Sequence, residues 1–193
     1  MSWRTHRVVL ALRHLGRSTG LNRWIAARTG SAQYEDRFQK RMLGEIRPGD
    51  CVWDVGANVG LYSSKFSRIV GPTGSVAAFE PSPTNFVRLT AAISSLDNVV
   101  LMPMALGDRA ARLAFAEGND ATGATSRVIG AVSHVAVGTI EVDVHRGDDV
   151  AGSAKAGHPD VIKIDTEGFE LEVVRGLAQT LRGPKLRALF IEI

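Results

Sequence analysis

The chain has 193 residues, of which 45% are hydrophobic, so it can bury one well-formed core but has little room for two. Its only cysteine is Cys51, which excludes a disulfide framework and favours the reducing cytoplasm. The net charge of +3 is uneven, because residues 1–50 carry a net +6 and residues 51–193 a net −3. The apolar run at 8–12 is too short for a signal-peptide core or a membrane span, and no other run reaches that length. We therefore expect a soluble or at most peripheral protein.

The amino-terminal segment, residues 1–47, is basic and has helical patterning. Residues 1–34 contain six arginines and no acid, beside a short apolar stripe. Such a stripe could make a peripheral contact with a membrane surface or an acidic partner, but a helix packed on the main domain is the stronger expectation. A second helix is predicted over 34–46, after which Pro48 begins a turn. The sequence thus predicts a main domain over 48–193.

The stretch Cys51–Gly60, C-V-W-D-V-G-A-N-V-G, predicts a strand and a glycine turn that leads into a helix over 61–70. Gly56 and Gly60 supply the freedom that a tight turn needs, and such a turn lets a ligand approach the backbone at a helix N-terminus. The spacing G-x-x-x-G is not the G-x-G-x-x-G of dinucleotide-binding proteins, which disfavours a nicotinamide dehydrogenase. Asp54 suits a cationic group, such as the amino group of an amino acid, better than a pyrophosphate.

A second acid follows at the end of the next predicted strand. This strand covers 75–80 and ends on Glu80, which lies 20 residues after Gly60. In a doubly wound sheet, an acid at this place can accept both hydroxyls of a ribose. A lone glutamate at a strand end is usually a solvated cap, but beside the glycine turn ribose binding is the better interpretation. A helix over 84–96 and a third strand over 99–106 are predicted next.

The remaining elements are predicted from shorter patterns. Residues 111–117 and 139–145 alternate enough for two short antiparallel strands, and the small polar residues 118–126 between them predict a mobile loop near the substrate. The last predicted elements are a fourth strand with its exit over 160–168, a helix over 169–181 with Leu171, Val174, Leu177, Ala178 and Leu181 facing inward, and a fifth strand over 187–193.

Two features of these last strands are unusual. Lys163 and Asp165 fall inside a strand that should be buried on both faces, where ionisable groups are costly unless they are paired or in use. Lys163 could keep Asp165 ionised, or its ammonium group could reach water along the strand. The apolar fifth strand leaves an open sheet edge. We expect either that the natural domain continues beyond Ile193 or that a second subunit covers this strand in a homo-oligomer.

These motifs together resemble the FkbM family of S-adenosylmethionine-dependent methyltransferases. The matching segments occur in the family's order: G-D-C-V-W-D-V-G-A-N-V-G-L-Y-S (49–63), A-A-F-E-P-S-P-T-N-F (77–86), A-L-G-D (105–108), I-K-I-D-T-E-G-F-E (162–170) and F-I-E-I (190–193). The resemblance implies a Rossmann-like class I methyltransferase fold with a mostly parallel, doubly wound sheet. The strands that the family adds after the fifth are absent from this sequence.

The resemblance also implies an activity and a site. The implied activity is methyl transfer from S-adenosyl-L-methionine, usually to a hydroxyl of a sugar, glycan or polyketide-type small molecule. Residues Asp54, Gly56, Asn58 and Gly60 would surround the methionine part of the cofactor. Glu80 would bind the ribose, with Pro81 and Ser82 at its rim, and Ala105 and Leu106 fall where the adenine ring is commonly enclosed.

The sequence leaves the chemistry of the acceptor side open. A hydroxyl acceptor benefits from a general base, for which Asp165 is the first candidate and Glu192 the second. Asp165, Glu167 and Glu192 also offer hard oxygen ligands to Mg²⁺, but nothing fixes their geometry and we expect no metal. A methyltransferase-like remnant that binds cofactor or a partner without turnover is the alternative function. No nucleic-acid partner is expected, since there is no N-P-P-Y-type motif and the basic segment lacks interleaved aromatic residues.

Overall fold

The computed structural model describes residues 31–116, 127–130 and 139–192. The predicted amino-terminal helix and the predicted mobile loop at 118–126 lie outside the described residues. The chain divides between Gly44 and Glu45 into two units, and the second unit contains both sheets. The helix predicted over 34–46 is confirmed as α1 (Ser31–Glu45).

A five-stranded parallel sheet is the centre of the second unit. Its strands are β1 (Cys51–Val55), β2 (Ser75–Phe79), β3 (Val99–Met102), β8 (Val161–Ile164) and β9 (Ala188–Ile191), arranged in the order β3-β2-β1-β8-β9. Helix α2 (Leu61–Val70) connects β1 to β2, and α3 (Pro83–Ile93) connects β2 to β3. The chain therefore builds outward from β1 to one edge, then returns to β8 and builds outward to the other. This is the doubly wound, Rossmann-like arrangement that the sequence predicts.

The central strands of this sheet are rich in apolar residues because they are buried. All five residues of β1 and all four of β8 are buried, because the strands of a parallel sheet are covered on both faces. Trp53 packs against Phe79 with ring centroids 5.0 Å apart, and the Trp53 indole N–H donates to the carbonyl of Ala156 at 3.1 Å. The aromatic ring is therefore buried without leaving its donor unsatisfied.

The predicted third strand over 99–106 is wrong, because the structure divides it between two sheets. Residues 99–102 form β3, whereas β4 (Ala105–Gly107) belongs to a second sheet with β5 (Ala111–Ala116), β6 (Arg127–Gly130) and β7 (Thr139–Arg146), in the order β4-β7-β5-β6. Pro103 lies at the division, and a proline has no N–H to continue a ladder. The predicted antiparallel pairing of the two short strands is confirmed as β5 with β7.

The predicted helix over 169–181 is also wrong in length. The structure has α4 (Gly147–Ala151) before β8, α5 (Glu170–Gly176) after it, and then a 3₁₀ turn (Thr180–Arg182). Leu171 was predicted to face inward but is 56% exposed, whereas Leu177 is buried. A Cβ at Gly176 would lie 1.8 Å from the carbonyl oxygen of Gly107, so α5 packs directly on the β4 backbone.

The helices in the described ranges are short. The longest, α1, has 15 residues, and none of them combines the length and the apolar composition that a membrane crossing needs.

Candidate active site

The candidate site lies where β1 and its neighbours end. The chain leaves β1 toward β2 on one side and returns beside it as β8 on the other. In sheets of this topology, the ligand crevice lies at the carboxyl ends of the strands where the order reverses. Four predicted site segments follow strands at this edge: the glycine loop after β1, Glu80 after β2, Asp165 after β8 and Glu192 after β9. The topology thus brings together acids that are more than 100 residues apart in the chain.

The glycine loop has a left-handed backbone that the chain itself requires. Gly56, Asn58 and Gly60 have positive φ values of 79°, 51° and 86°. A Cβ at Gly56 would lie 1.9 Å from the carbonyl oxygen of Asp165, and one at Gly60 would lie 2.8 Å from Leu89 Cδ1. The absence of a side chain at both glycines therefore lets the end of β8 and helix α3 pack against the loop. The sequence analysis explained these glycines by the approach of a ligand and did not include this packing.

Glu80 is fixed by the loop that precedes it in the chain. Glu80 is 4% exposed, and its carboxylate accepts the backbone N–H of Asn58 at 2.8 Å through Oε2 and that of Ser82 at 2.9 Å through Oε1. Burial raises the pKa of Glu80 to about 7, against the opposing effect of these two N–H groups. Each carboxylate oxygen has further lone-pair capacity, so the group can accept additional hydroxyls.

Asp54 lies below the loop and is fully buried. Its Oδ2 accepts the hydroxyl of Ser63 at 2.6 Å, and its Oδ1 lies 3.4 Å from Lys163 Nζ. Asp54 Oδ1 and Asn58 Oδ1 are both buried and accept no hydrogen bond from the described residues. Buried acceptors of this kind are usually satisfied, so the side-chain oxygen of Asn58, on the loop whose backbone N–H contacts Glu80, marks a place where a ligand group fits.

Asp165 is more accessible to solvent than Asp54 and Glu80. Its side chain is 31% exposed and Oδ2 accepts a hydrogen bond from Lys163 Nζ at 3.3 Å. Glu192 comes to the same edge, since its backbone N–H donates to the Ile164 carbonyl at 2.9 Å and its charge contributes to raising the pKa of the Tyr62 phenol, after burial as the main cause. Both predicted general-base candidates therefore lie at one end of the crevice.

The remaining predicted cofactor residues have different surroundings. Ser82 is buried and its hydroxyl accepts the backbone N–H of Asn85 at 3.2 Å, so it is the N-cap of α3. Pro81, beside it, is half-buried. Ala105 and Leu106 are buried in β4, at the start of the second sheet.

Sequence reasoning missed two residues of this site. Ser63, which donates to Asp54, and Tyr62, whose ring centroid lies 4.9 Å from Lys163 Nζ, are both in the first turn of α2. Their signal is positional, since the first turn after a glycine loop always lies at the carboxyl edge of the sheet. Within the part of the chain that the structure describes, no group of three or more His, Cys, Asp or Glu side chains is arranged to hold a metal ion.

The chain is similar in sequence to known methyltransferases. A family model described as the methyltransferase FkbM domain matches residues 54–193. The hexuronic acid methyltransferase AglP of Haloferax volcanii is 30% identical over 142 residues, which are 73% of this chain and 55% of AglP. The 2-O-methyltransferase NoeI of Sinorhizobium fredii is 27% identical over 158 residues, 76% of this chain and 64% of NoeI.

A third relative matches a shorter region more closely. The 31-O-demethyl-FK506 methyltransferase FkbM of Streptomyces tacrolimicus is 45% identical over 58 residues, 30% of this chain and 22% of that protein. The chain thus spans less than two thirds of the length of each of these three relatives. Because the family model covers well over half of its residues, the chain belongs to the FkbM family of methyltransferases.

Proposed function

We propose that this protein is an S-adenosyl-L-methionine-dependent methyltransferase that methylates a hydroxyl oxygen of a sugar or another small molecule. The observation that carries the proposal is the 2.8 Å hydrogen bond from the Asn58 N–H to Glu80. It joins the glycine loop to the acid after β2, so that both lie in one crevice at the point where the strand order reverses.

The residues of this crevice fit such a cofactor. Glu80 would accept the two ribose hydroxyls, because its carboxylate is already oriented by two backbone N–H groups. Asn58 would accept a hydrogen bond at its buried Oδ1, which has no partner among the described residues. Gly56 and Gly60 shape the loop, and the rim and adenine roles of Pro81, Ser82, Ala105 and Leu106 stay predictions. The direct contact with the cofactor that the sequence predicts for Asp54 is not part of this proposal, because both of its carboxylate oxygens face protein groups.

The acids at the other end of the crevice would serve the acceptor. Bound S-adenosylmethionine supplies a methyl group that is electrophilic because it is attached to a sulfonium. When the acceptor oxygen bonds to this carbon, the carbon–sulfur bond breaks and the hydroxyl proton needs a base. Asp165, at 31% exposure, is our first candidate for that base and Glu192 our second.

The relatives guide the choice of acceptor. AglP is named for hexuronic acid, NoeI for 2-O-methylation and FkbM for a demethylated FK506. Two kinds of acceptor, a hexuronic acid or related sugar and 31-O-demethyl-FK506, are therefore worth testing first. We include a methyl hexoside and a methyl hexuronoside as the sugar probes.

Three further proposals concern the surroundings of the enzyme. The single cysteine, which is buried and reduced, is consistent with a cytoplasmic location. The strand β9 is an edge of the parallel sheet, which keeps assembly of two copies through this strand as a proposal that size-exclusion chromatography tests. A peripheral membrane contact would use the basic segment before residue 35, and liposome sedimentation of the full chain tests it.

The deciding experiment is calorimetric titration of the chain with S-adenosylhomocysteine, with NAD as the control. Saturable binding of the first compound alone supports the proposed cofactor, and binding of NAD alone contradicts it. Transfer of a radiolabelled methyl group from S-adenosyl-L-methionine to the sugar probes or to 31-O-demethyl-FK506 then tests the reaction. Binding of S-adenosylhomocysteine without transfer to any acceptor would favour the non-catalytic alternative.

A further inference from the structure

Lys163 occupies a position where a charge is costly. It is 2% exposed in the middle of β8, every residue of which is buried, and it lies opposite Asp54 in the register of β1 with β8. Its ammonium group therefore does not reach water along the strand, which excludes one of the two alternatives that the sequence left open for Lys163. A buried ammonium needs close negative partners.

Two carboxylates, those of Asp54 and Asp165, lie close to the Lys163 ammonium group. We call Asp54, Lys163 and Asp165 the ion triad. Nζ lies 3.4 Å from Asp54 Oδ1 and 3.3 Å from Asp165 Oδ2, and 4.9 Å from the centroid of the Tyr62 ring. Burial alone lowers the pKa of Lys163, but the negative charges of Asp54, Asp165 and Glu192 outweigh it and raise the pKa, so the ammonium form is retained. Asp54 is fully buried at one end, and Asp165 is 31% exposed at the other.

This arrangement already gives Asp54 a cationic partner from the chain itself. The second oxygen of Asp54 accepts the hydroxyl of Ser63 at 2.6 Å, so both ends of this carboxylate face protein groups. Burial raises the pKa of Asp54, against the opposing effects of the Lys163 charge and the Ser63 hydroxyl. When Asp54 is ionised, it balances the positive charge of Lys163, and the ion triad has one excess negative charge, at the partly exposed Asp165. Without Asp54, Lys163 and Asp165 would form a one-to-one ion pair, and that pair would carry no net charge.

We infer that Asp54 is a positioning residue, which balances Lys163 so that Asp165 keeps its negative charge at the acceptor end of the crevice, and that Asp54 does not bind the cofactor directly. The inference rests on the proposed function for its catalytic consequence, but the burial and pairing of the triad do not depend on it.

The first test compares cofactor affinity with turnover in Asp54→Asn. S-adenosylhomocysteine affinity should change by less than about threefold, whereas kcat for methyl transfer should fall on the order of tenfold with KM for S-adenosylmethionine unchanged. The fall in kcat should disappear when Asp54→Asn is made in an Asp165→Asn background. Loss of affinity by about tenfold or more would overturn the inference, because it would show that Asp54 contacts the cofactor.

The second test needs neither cofactor nor acceptor, so it stands even if the proposed function fails. Lys163→Met should lower Tm on the order of 10 °C, since it leaves Asp54 buried and unpaired. The double variant Asp54→Asn/Lys163→Met should recover at least half of that loss. An equally unstable double variant would show that Asp54 is not the main counterion of Lys163 and would overturn the inference.

A matched lysine controls for the substitution itself. Lys185 pairs with Asp160 at 3.4 Å near the start of β8, and its side chain is 50% exposed. Lys185→Met should lower Tm by no more than about 3 °C and leave cofactor affinity unchanged, because exposed ion pairs contribute little to stability. Wild-type protein that fails to bind S-adenosylhomocysteine would refute the proposed function and leave the unfolding results to judge the ion triad.

Discussion

The backbone N–H of Asn58 and the carboxylate of Glu80 are 2.8 Å apart, although the two residues follow different strands. Asn58 has a left-handed φ of 51°, a conformation that asparagine tolerates better than most side chains. In this conformation the N–H of Asn58 points toward Glu80, an acid that is almost fully buried. The conformation of the glycine loop and the orientation of the Glu80 carboxylate therefore depend on each other, and the first three predictions below test this dependence.

The first prediction concerns the contribution of Glu80 to cofactor affinity. Glu80→Gln should weaken S-adenosylhomocysteine binding by roughly 10- to 100-fold at pH 8, since hydrogen bonds to a charged group are worth about 1.5–3 kcal/mol. Calorimetry at pH 8 measures the effect. Affinity of the wild type should also increase as the pH rises through about 7, where the Glu80 carboxylate ionises, and it should not in the variant. Equal affinity of the two proteins would place the ribose elsewhere.

The second prediction follows the same acid through the unfolding equilibrium. Its pKa is about 7 in the folded protein against an ordinary value of 4.5, so the folded state binds the proton more tightly than the unfolded chain. The stabilisation is fully present below pH 4.5 and is lost as the pH rises through about 7. Between these limits, the free energy of unfolding of wild type relative to Glu80→Gln should fall on the order of 3 kcal/mol. Urea unfolding of both proteins at several pH values measures this difference, and a constant difference would contradict the prediction.

The third prediction separates backbone conformation from steric collision at the glycine loop. Gly56→Ala should destabilise the protein by about 4 kcal/mol or more, because a Cβ would add a collision with the Asp165 carbonyl to the cost of a left-handed residue. Gly49 is the matched control, since its φ of 87° is also positive but its Cβ would meet only Thr73, at an ordinary 3.6 Å. Gly49→Ala should cost about 1–2 kcal/mol. Urea unfolding that gave equal losses would show that the loop can move away from Asp165.

The fourth prediction concerns a structural acid outside the crevice. The carboxylate of Asp148 accepts the backbone N–H groups of Gln179 and Thr180 at about 3 Å, together with an ion pair from Arg146 at 2.8 Å. Burial on its own raises the pKa of Asp148, but these donors outweigh it and lower the pKa. The stabilisation is therefore present above the ordinary pKa of an aspartate and is lost as the pH falls through the lower value of the folded state.

Asp148→Ala should accordingly cost about 1–3 kcal/mol at pH 7, since it leaves backbone donors of the 3₁₀ turn without a partner. The neighbouring Asp149, whose side chain is 67% exposed, provides the comparison. Asp149→Ala should change the free energy of unfolding by no more than about 0.5 kcal/mol. If thermal unfolding ranked the two variants in the opposite order, the proposed capping by Asp148 would be wrong.

The sequence predicted the parts of this fold in which local pattern and tertiary role agree. Strand β1, helix α2 and the acid after β2 follow from apolar periodicity and glycine spacing, and their positions are confirmed. The switch between sheets was missed because residues 99–106 are an almost continuous apolar run. Pro103 was the available signal, since a proline inside such a run favours an edge or an interruption.

The charges of the site were only half predictable. The sequence predicts that Lys163 and Asp165 share a strand, but β8 ends at Ile164, one residue before Asp165. A lysine inside this buried strand raises the question of which group pairs with it. The answer depends on the register of β1 with β8, which places Asp54 opposite Lys163 across 109 residues of chain. Non-local pairing of this kind has no signature within either segment, and so the hydroxyl of Ser63 and the pairing of Asp54 emerge only from the folded structure.

The second sheet has a consequence for how this family can diversify. Its four strands come from one uninterrupted stretch of chain, residues 105–146, inserted between β3 and the return to β8. An exchange of this stretch for that of another protein would replace no strand of the parallel sheet that carries Glu80. One position constrains the exchange: a donor segment must keep close approach at Gly107, because the backbone there touches Gly176 at the end of the helix that follows Asp165. A chimera that respects this contact and also keeps β4, which holds Ala105 and Leu106, would change most of the second sheet while retaining every predicted cofactor residue.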